Sequence, residues 1–219
     1  MTQPQAAPPI DLDDTPAGRI LRTARGILLS ENYSGLTMDG LAYALGMSKK
    51  TLYAHFASKD AIVSAIIESA GQTIRRQAQE VMSAPGERFT PKLRAVLTIV
   101  GAHIGAMSPR FLADLQRFAP HLLAQIDALK ERNIPLVFGR MLEIGVARGM
   151  VRADIDQRFL IEYWLQVIKG VHQPELLART GLTPKEAFDK ALALFFEGVL
   201  TDAGRADGAI AARDMGTPD

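Results

Sequence analysis

Proline directly follows a hydroxyl residue at four points that each lead into a helix-like run, Thr15-Pro16, Thr90-Pro91, Ser108-Pro109 and Thr183-Pro184, and once more at the end of the chain, Thr217-Pro218. A threonine or serine side chain can accept from the free N–H groups that open a helix. Proline in the next position lacks an N–H that would have no partner there anyway. The first four pairs therefore predict helix starts. Strand signals do not compete with them, since β-branched alternation is scarce and no Asn-Gly hairpin occurs. The expected fold class is all-α.

Apolar residues at helical spacing fill the intervals. Ile20, Ala24, Ile27 and Leu28 share one face of the first helix, which Asn32 and Gly35 should end. Thr37 precedes a short helix over MDGLAYAL, and Ser48 precedes another over KKTLYAHF. Ser58 precedes a long helix to Met82, with Ile62, Ile66 and Ile67 on its inner side. After the break SAPGERFTP, Thr90-Pro91 should start a helix to about Met107, and Ser108-Pro109 one to Phe118. Pro120 opens a run to Met150 that Pro135 should kink or divide, because proline has no N–H for the preceding turn. A helix from Asp156 to about Val171, a break near HQPELLARTGLTP, and a helix from Thr183-Pro184 to about Leu200 complete the series. The Pro-rich, acidic residues 1–14 read as a flexible arm, and the Gly/Ala/Asp-rich residues 202–219 as a flexible tail.

Bulk charge narrows the function classes without choosing one. The 25 Lys and Arg stand against 24 Asp and Glu, a net charge of +1. No grossly cationic surface is available, so any nucleic-acid grip must be a local patch. With no cysteine there is neither a disulfide framework nor a thiolate zinc site. No long apolar run predicts a membrane span, and the start lacks the basic and apolar regions of a secretion signal. A cytoplasmic location is expected. No two of His55, His103, His121 and His172 share the i, i+4 spacing of a helical metal site, and no Glu-x-x-His pair occurs. Phosphate loops, dinucleotide glycine patterns and nucleophile elbows are also missing. No enzyme, no cofactor and no metal is predicted.

The informative stretch is LTMDGLAYALGMSKKTLYAHFASKD, Leu36 to Asp60. It reads as two short helices around Gly46, which can take a left-handed turn at little cost. Leu41, Ala42 and Leu45 form the inner face of the first. Leu52 and Phe56, four residues apart, pin the second into the core. Lys49, Lys50, Tyr53 and His55 then project outward. With Ser48 as cap, the first N–H groups of that helix and the lysines suit phosphate. Thr37 marks a second helix start nearby, and Lys59 opens the helix that follows. Spacing alone leaves two readings open, a surface that grips a duplex and an ordinary solvated helix face.

The residues Thr37, Leu41, Ala42, Gly46, Met47, Ser48, Thr51, Leu52, Tyr53, His55, Phe56, Ser58, Lys59 and Asp60 together closely resemble the N-terminal domain of the tetracycline-repressor (TetR) family. The resemblance covers roughly the first third of the chain. Many members carry Gly where this chain has Lys50, and Gly40 is a poor helix former within the second helix. The resemblance implies a helix-turn-helix DNA-binding domain over residues 15–60 and a helical effector-binding and dimerisation domain over residues 61–201. It implies a homodimer that binds a palindromic operator in double-stranded DNA, represses transcription, and is released by a small molecule. The implied DNA contacts are Thr37, Ser48, Lys49, Thr51, Tyr53, His55 and Lys59, with Lys50 added from its position. Lys49 and Thr51 are expected at base edges. Thr37, Tyr53, His55 and Lys59 are expected at phosphates, with Lys50 between the two roles. A helical interaction adaptor without sequence-specific DNA binding is the alternative.

The remaining helices must then pair subunits and sense a ligand. The two long C-terminal helices have broad apolar faces, which nominates Phe159, Tyr163, Val167, Phe188, Leu192, Phe195 and Phe196 for the dimer interface. A pocket is expected among the fourth to eighth helices, with His103, Met107, Phe118, His121, Phe138, Met141, Trp164 and Gln166 as candidate lining. Few charges fall inside these helices, so an apolar or aromatic effector is expected.

Overall fold

The computed structural model describes residues 9–10, 12–85 and 88–207. Among the described residues, ten helices precede a short helical segment at 202–207: α1 (Pro16–Gly35), α2 (Met38–Leu45), α3 (Lys49–His55), α4 (Lys59–Ser83), α5 (Phe89–Gly105), α6 (Pro109–Phe118), α7 (Pro120–Ala147), α8 (Gln157–Val171), α9 (Pro174–Thr180) and α10 (Pro184–Val199). Among the described residues the only extended pairing is an isolated antiparallel bridge between Val151 and Leu200. The fold is all-α, as the helix starts predicted.

Local chemistry accounts for most helix ends. Thr15, Thr37, Ser48, Ser58 and Ser108 each accept at the side-chain oxygen from a backbone N–H three residues on. Thr183 does the same in a reciprocal capping box with Glu186. Thr90 is the exception. Helix α5 begins two residues earlier than that pair predicts, with Arg88 as cap and the buried Phe89 as its first residue. The Thr90 N–H instead donates to Asp207 Oδ2 at 3.0 Å, and its hydroxyl donates to the Gly204 carbonyl at 3.3 Å.

Four other expectations are corrected. Helix α7 runs through Pro135 without dividing. The stretch read as a break contains α9, opened by Pro174 and closed by Gly181 at φ +68°. Residues 202–207, expected to belong to a flexible tail, are helical and docked on α5 through Thr90. Residues 208–219 of that tail lie outside the described residues. Likewise the arm expected over 1–14 is held at its end: Arg22 donates to the Leu12 and Asp13 carbonyls and pairs with Asp14. Residues 1–8 and 11 lie outside the described residues.

Two apolar cores organise the chain. The first joins Ile20, Leu36, Leu41, Leu52 and Ile62 of α1–α4 to Leu115 and Leu122 of α6 and α7. The second lies among α5, α7, α8 and α10, around Phe138, Trp164, Phe188 and Phe195. Helix α4 feeds both, with Ile62 to Ile67 in the first and Ala78 in the second. The expected boundary at residue 60/61 therefore falls near the start of one continuous helix. Gly71 sets how closely α4 meets α7, for a Cβ there would stand 2.3 Å from Leu129 Cδ1.

Candidate functional site

The N-terminal head is built around one buried side chain. Leu52 is fully buried and Phe56 half-buried, so α3 can present only its other side. Gly46 makes the turn from α2 at φ 63° and ψ 29°, and its N–H returns to the carbonyls of Ala42 and Tyr43. Lys49, Lys50, Thr51, Tyr53 and His55 are all exposed, together with Ser48 and Thr37 at the caps. The structure thus brings seven of the eight predicted contact residues onto one accessible region. Thr37 and Ser48 use their oxygens to accept from Gly40 N–H and Thr51 N–H. Ser48 and Thr51 hydroxyls also meet at 2.8 Å.

Lys59 departs from this set. It is half-buried, with its ammonium 3.9 Å from the centre of the Tyr33 ring and 3.4 Å from the Tyr33 carbonyl. Packing on Tyr33 is a role the sequence did not suggest, beside the phosphate contact expected of Lys59. Asp39 and Tyr43 were not among the predicted residues. The Asp39 carboxylate accepts from Lys49 Nζ at 2.7 Å across the α2–α3 turn, and this hydrogen bond holds the ammonium above its usual pKa. Tyr43 is 90% exposed on α2. An acid and an exposed ring on the helix before the recognition helix were the available signals.

A polar hub ties the head to the body. The buried Tyr33 hydroxyl donates to Asp60 Oδ1, and burial together with that carboxylate raises its pKa. His121 Nε2 stands 2.9 Å from Asp60 Oδ2. Ser34 N–H donates to Asp114 Oδ2 at 2.6 Å, and the Ser108 hydroxyl to Asn32 Oδ1 at 3.3 Å. Asn32 takes φ 66°, a conformation rare outside glycine, where α1 bends toward α6. His121, predicted in the pocket, belongs to this junction because Pro120 places it at the start of α7 beside Asp60.

A cavity of about 240 Å³ lies between the two cores. Five predicted residues, His103, Met107, Phe138, Met141 and Trp164, are in its wall. Phe118 is not, being half exposed beneath Arg117, and Gln166 is not, because it faces solvent from α8. The wall also draws on α1 through Arg25, Leu28 and Leu29 and on α10 through Phe188, beyond the helices expected to form it. Three of its polar members escaped the sequence reading: Lys130, Asn133 and His172. Asn133 is satisfied by Arg75 and by the Gly71 carbonyl. His172 is 3% exposed, and burial lowers its pKa to about 4, helped by the Lys130 charge. Burial also pulls the Lys130 ammonium down, against the opposing effect of Asp127 at 2.9 Å.

The predicted dimer residues divide into two groups. Phe188 and Phe195 are buried within the subunit; the Phe195 ring lies 4.9 Å from Trp164 and 5.4 Å from Phe138. They belong to the core, because α8 and α10 pack on each other through that side. Phe159 and Tyr163 are exposed and stacked at 6.0 Å, and Leu194, not predicted, is 80% exposed. Val167, Leu192 and Phe196 are half-buried. The outer side of α8 and α10 therefore carries open apolar residues among its charged ones.

A family model described as bacterial regulatory proteins, tetR family, matches residues 20–66, from α1 into α4. YvaF of Bacillus subtilis (strain 168), an uncharacterised helix-turn-helix-type transcriptional regulator, is 22% identical over 184 residues, covering 84% of this chain and 95% of that protein. A transcriptional regulator from Cytophaga hutchinsonii ATCC 33406 has a similar structure, with TM-score 0.63 and 17% identity over 84% of this chain and 97% of that one. A TetR-family regulator from Agrobacterium tumefaciens gives TM-score 0.60 at 16% identity, over 84% of this chain and 97% of that one. The two solved structures share the fold.

Proposed function

We propose that this chain, a TetR-family helix-turn-helix transcriptional regulator and not an enzyme, represses transcription in the cytoplasm as a homodimer on a palindromic operator. A small apolar effector in the cavity releases it. One observation carries the DNA reading: Leu52 is fully buried while Lys49, Lys50, Thr51, Tyr53 and His55 around it are exposed. Such a helix offers cations and hydroxyls to a groove with nothing of the protein's own body in the way. Lys49 and Thr51 are assigned to base edges, and Thr37, Tyr53, His55 and Lys59 to phosphates, with Lys50 between the two roles.

Pairing through the outer side of α8 and α10 places two such helices on one duplex. Their centres should lie roughly 34–36 Å apart, one helical turn of DNA, or a multiple of it. The cavity suits release by ligand because its wall includes residues of both cores, among them Leu28 of the head and Trp164 of the body. An occupant that fits a different spacing of α1 and α4 against α7 shifts the dimer away from DNA by that difference in affinity. Fluorescence anisotropy on a labelled random-sequence duplex across salt concentration tests the reading. Affinity should fall steeply as salt rises, with a slope set by the number of phosphates neutralised. A flat salt response would favour the adaptor reading instead.

A further inference from the structure

We propose that the effector is a small aliphatic carboxylate whose head group lies between Lys130 and His172. The proposal rests on the reading of the cavity as the effector site, and adds to it the chemical class of the ligand. Most of the wall is aliphatic, with Ile66, Ile104, Leu129 and Val137 typical of it. That lining accepts a hydrocarbon body and offers little to a polar one. The volume of about 240 Å³ lies below the roughly 300–1,000 Å³ usual for drug-sized ligands, so the occupant is small.

The formal charge of the wall is one-sided: its two charged side chains, Arg25 and Lys130, are cations, and His172 is a neutral ring. Arg25, Lys130, His103 and His172 line it, and no aspartate or glutamate does. The Lys130 side chain is 14% exposed, and its carboxylate partner Asp127 stands outside the lining. An ammonium has three N–H groups, and Asp127 takes one of them. His172 lies against the Phe188 ring, 6.3 Å between centres. The carbonyls of Ile168 and Pro184 approach its ring, but neither nitrogen completes a hydrogen bond. A buried donor without an acceptor is costly, and a ligand that supplies one removes the cost. A carboxylate has two oxygens that only accept, one for Lys130 and one for His172. An alcohol of the same length brings a single oxygen and no charge. An amine meets Lys130 as a like charge. The other charges near this end, Glu131 and Lys169, are matched to each other at 2.6 Å and do not change the preference.

Trp164 is the chain's one tryptophan and lines the cavity, so its fluorescence reports occupancy of the full-length protein. The probes are decanoate, 1-decanol and decylamine, which share one hydrocarbon body. Decanoate is expected to bind at least about tenfold more tightly than either of the others, as a charge-assisted hydrogen bond in a buried site implies. Lys130→Met should remove that preference while leaving decanol affinity within about twofold. Lys130→Arg, which keeps the charge, should retain the preference and serves as the check if the methionine variant folds poorly. Equal binding of decanoate and decanol, or a K130M variant that weakens both alike, would overturn the head-group assignment and leave the cavity standing as an effector site. Loss of the preference in Arg25→Met and not in K130M would overturn its placement. If none of the three probes perturbs Trp164, the head-group proposal and the effector-site reading fall together.

Discussion

His172 makes a sharp prediction about acid stability. The ring is buried at 3% exposure, and burial holds its pKa near 4 against an ordinary 6.5. The folded protein keeps it neutral, while the unfolded chain protonates it below pH 6.5. Between pH 6.5 and about 4 the unfolded state therefore binds more protons, and stability falls as pH falls through that window. The full difference, at about 1.36 kcal/mol per pKa unit, is about 3 kcal/mol. Above pH 6.5 the penalty is absent, and below the folded pKa it stops growing. His172→Leu keeps the side-chain bulk and removes the titration. Chemical denaturation of wild type and H172L at pH 7.5 and pH 4, at one protein concentration, isolates the effect from the titration of surface carboxylates. Wild type should lose about 3 kcal/mol more than the variant on acidification. At pH 7.5 the variant should equal wild type or exceed it, since leucine brings no ring nitrogens into the core. Parallel losses in the two proteins would show that His172 reaches water or a partner in solution and would refute the burial argument.

Other perturbations read other parts of the account. Leu52→Ala should cost about 2–5 kcal/mol in denaturant midpoint analysis, the range for emptying a fully buried leucine site, and abolish DNA binding with it. Gly46→Ala should cost roughly 1–2 kcal/mol by thermal unfolding, because the left-handed turn is strained for alanine even though no atom within 4 Å would touch the added methyl. Leu194→Asp, on the exposed side of α10, should shift sedimentation from dimer toward monomer while leaving the helical circular dichroism of the subunit intact. Lys59→Ala should lower both thermal stability and DNA affinity, whereas Lys50→Ala should lower only affinity, since Lys59 packs over Tyr33 and Lys50 is exposed.

What could be read from the sequence was what neighbours in the chain decide. A cap depends on two or three adjacent residues, so Thr15, Thr37, Ser48, Ser58, Ser108 and Thr183 mark helix starts in the structure as they do in the sequence. The outward side of α3 was also legible, because Leu52 alone fixes how so short a helix is turned. Thr90 misled because its partner, Asp207, is 117 residues away. Helix α9 carried its own Pro and Gly signals, but seven residues between breaks look like loop until Leu177 is seen buried. The pocket and dimer residues depended on which side of α7, α8 and α10 meets the body, and apolar spacing does not distinguish a subunit core from a partner. Phe188 and Phe195 therefore fell on the core side, and Phe159 and Tyr163 on the open side. Lys130 was overlooked because a charged residue on a long helix ordinarily faces solvent, and His172 because it follows the last residue of α8, at a break in the pattern.

On the proposed function, α3 of each of two paired subunits reads DNA sequence. Selecting bound duplexes from a random pool with the full-length protein, then repeating the selection with Lys49→Ala and Thr51→Ala, tests it most directly. The expected result is an inverted repeat whose half-sites are centred about one helical turn apart, or a multiple of it, with preferences at particular positions lost in the two variants. A pool that gains no shared sequence, or an inverted repeat that both variants select unchanged, would contradict it.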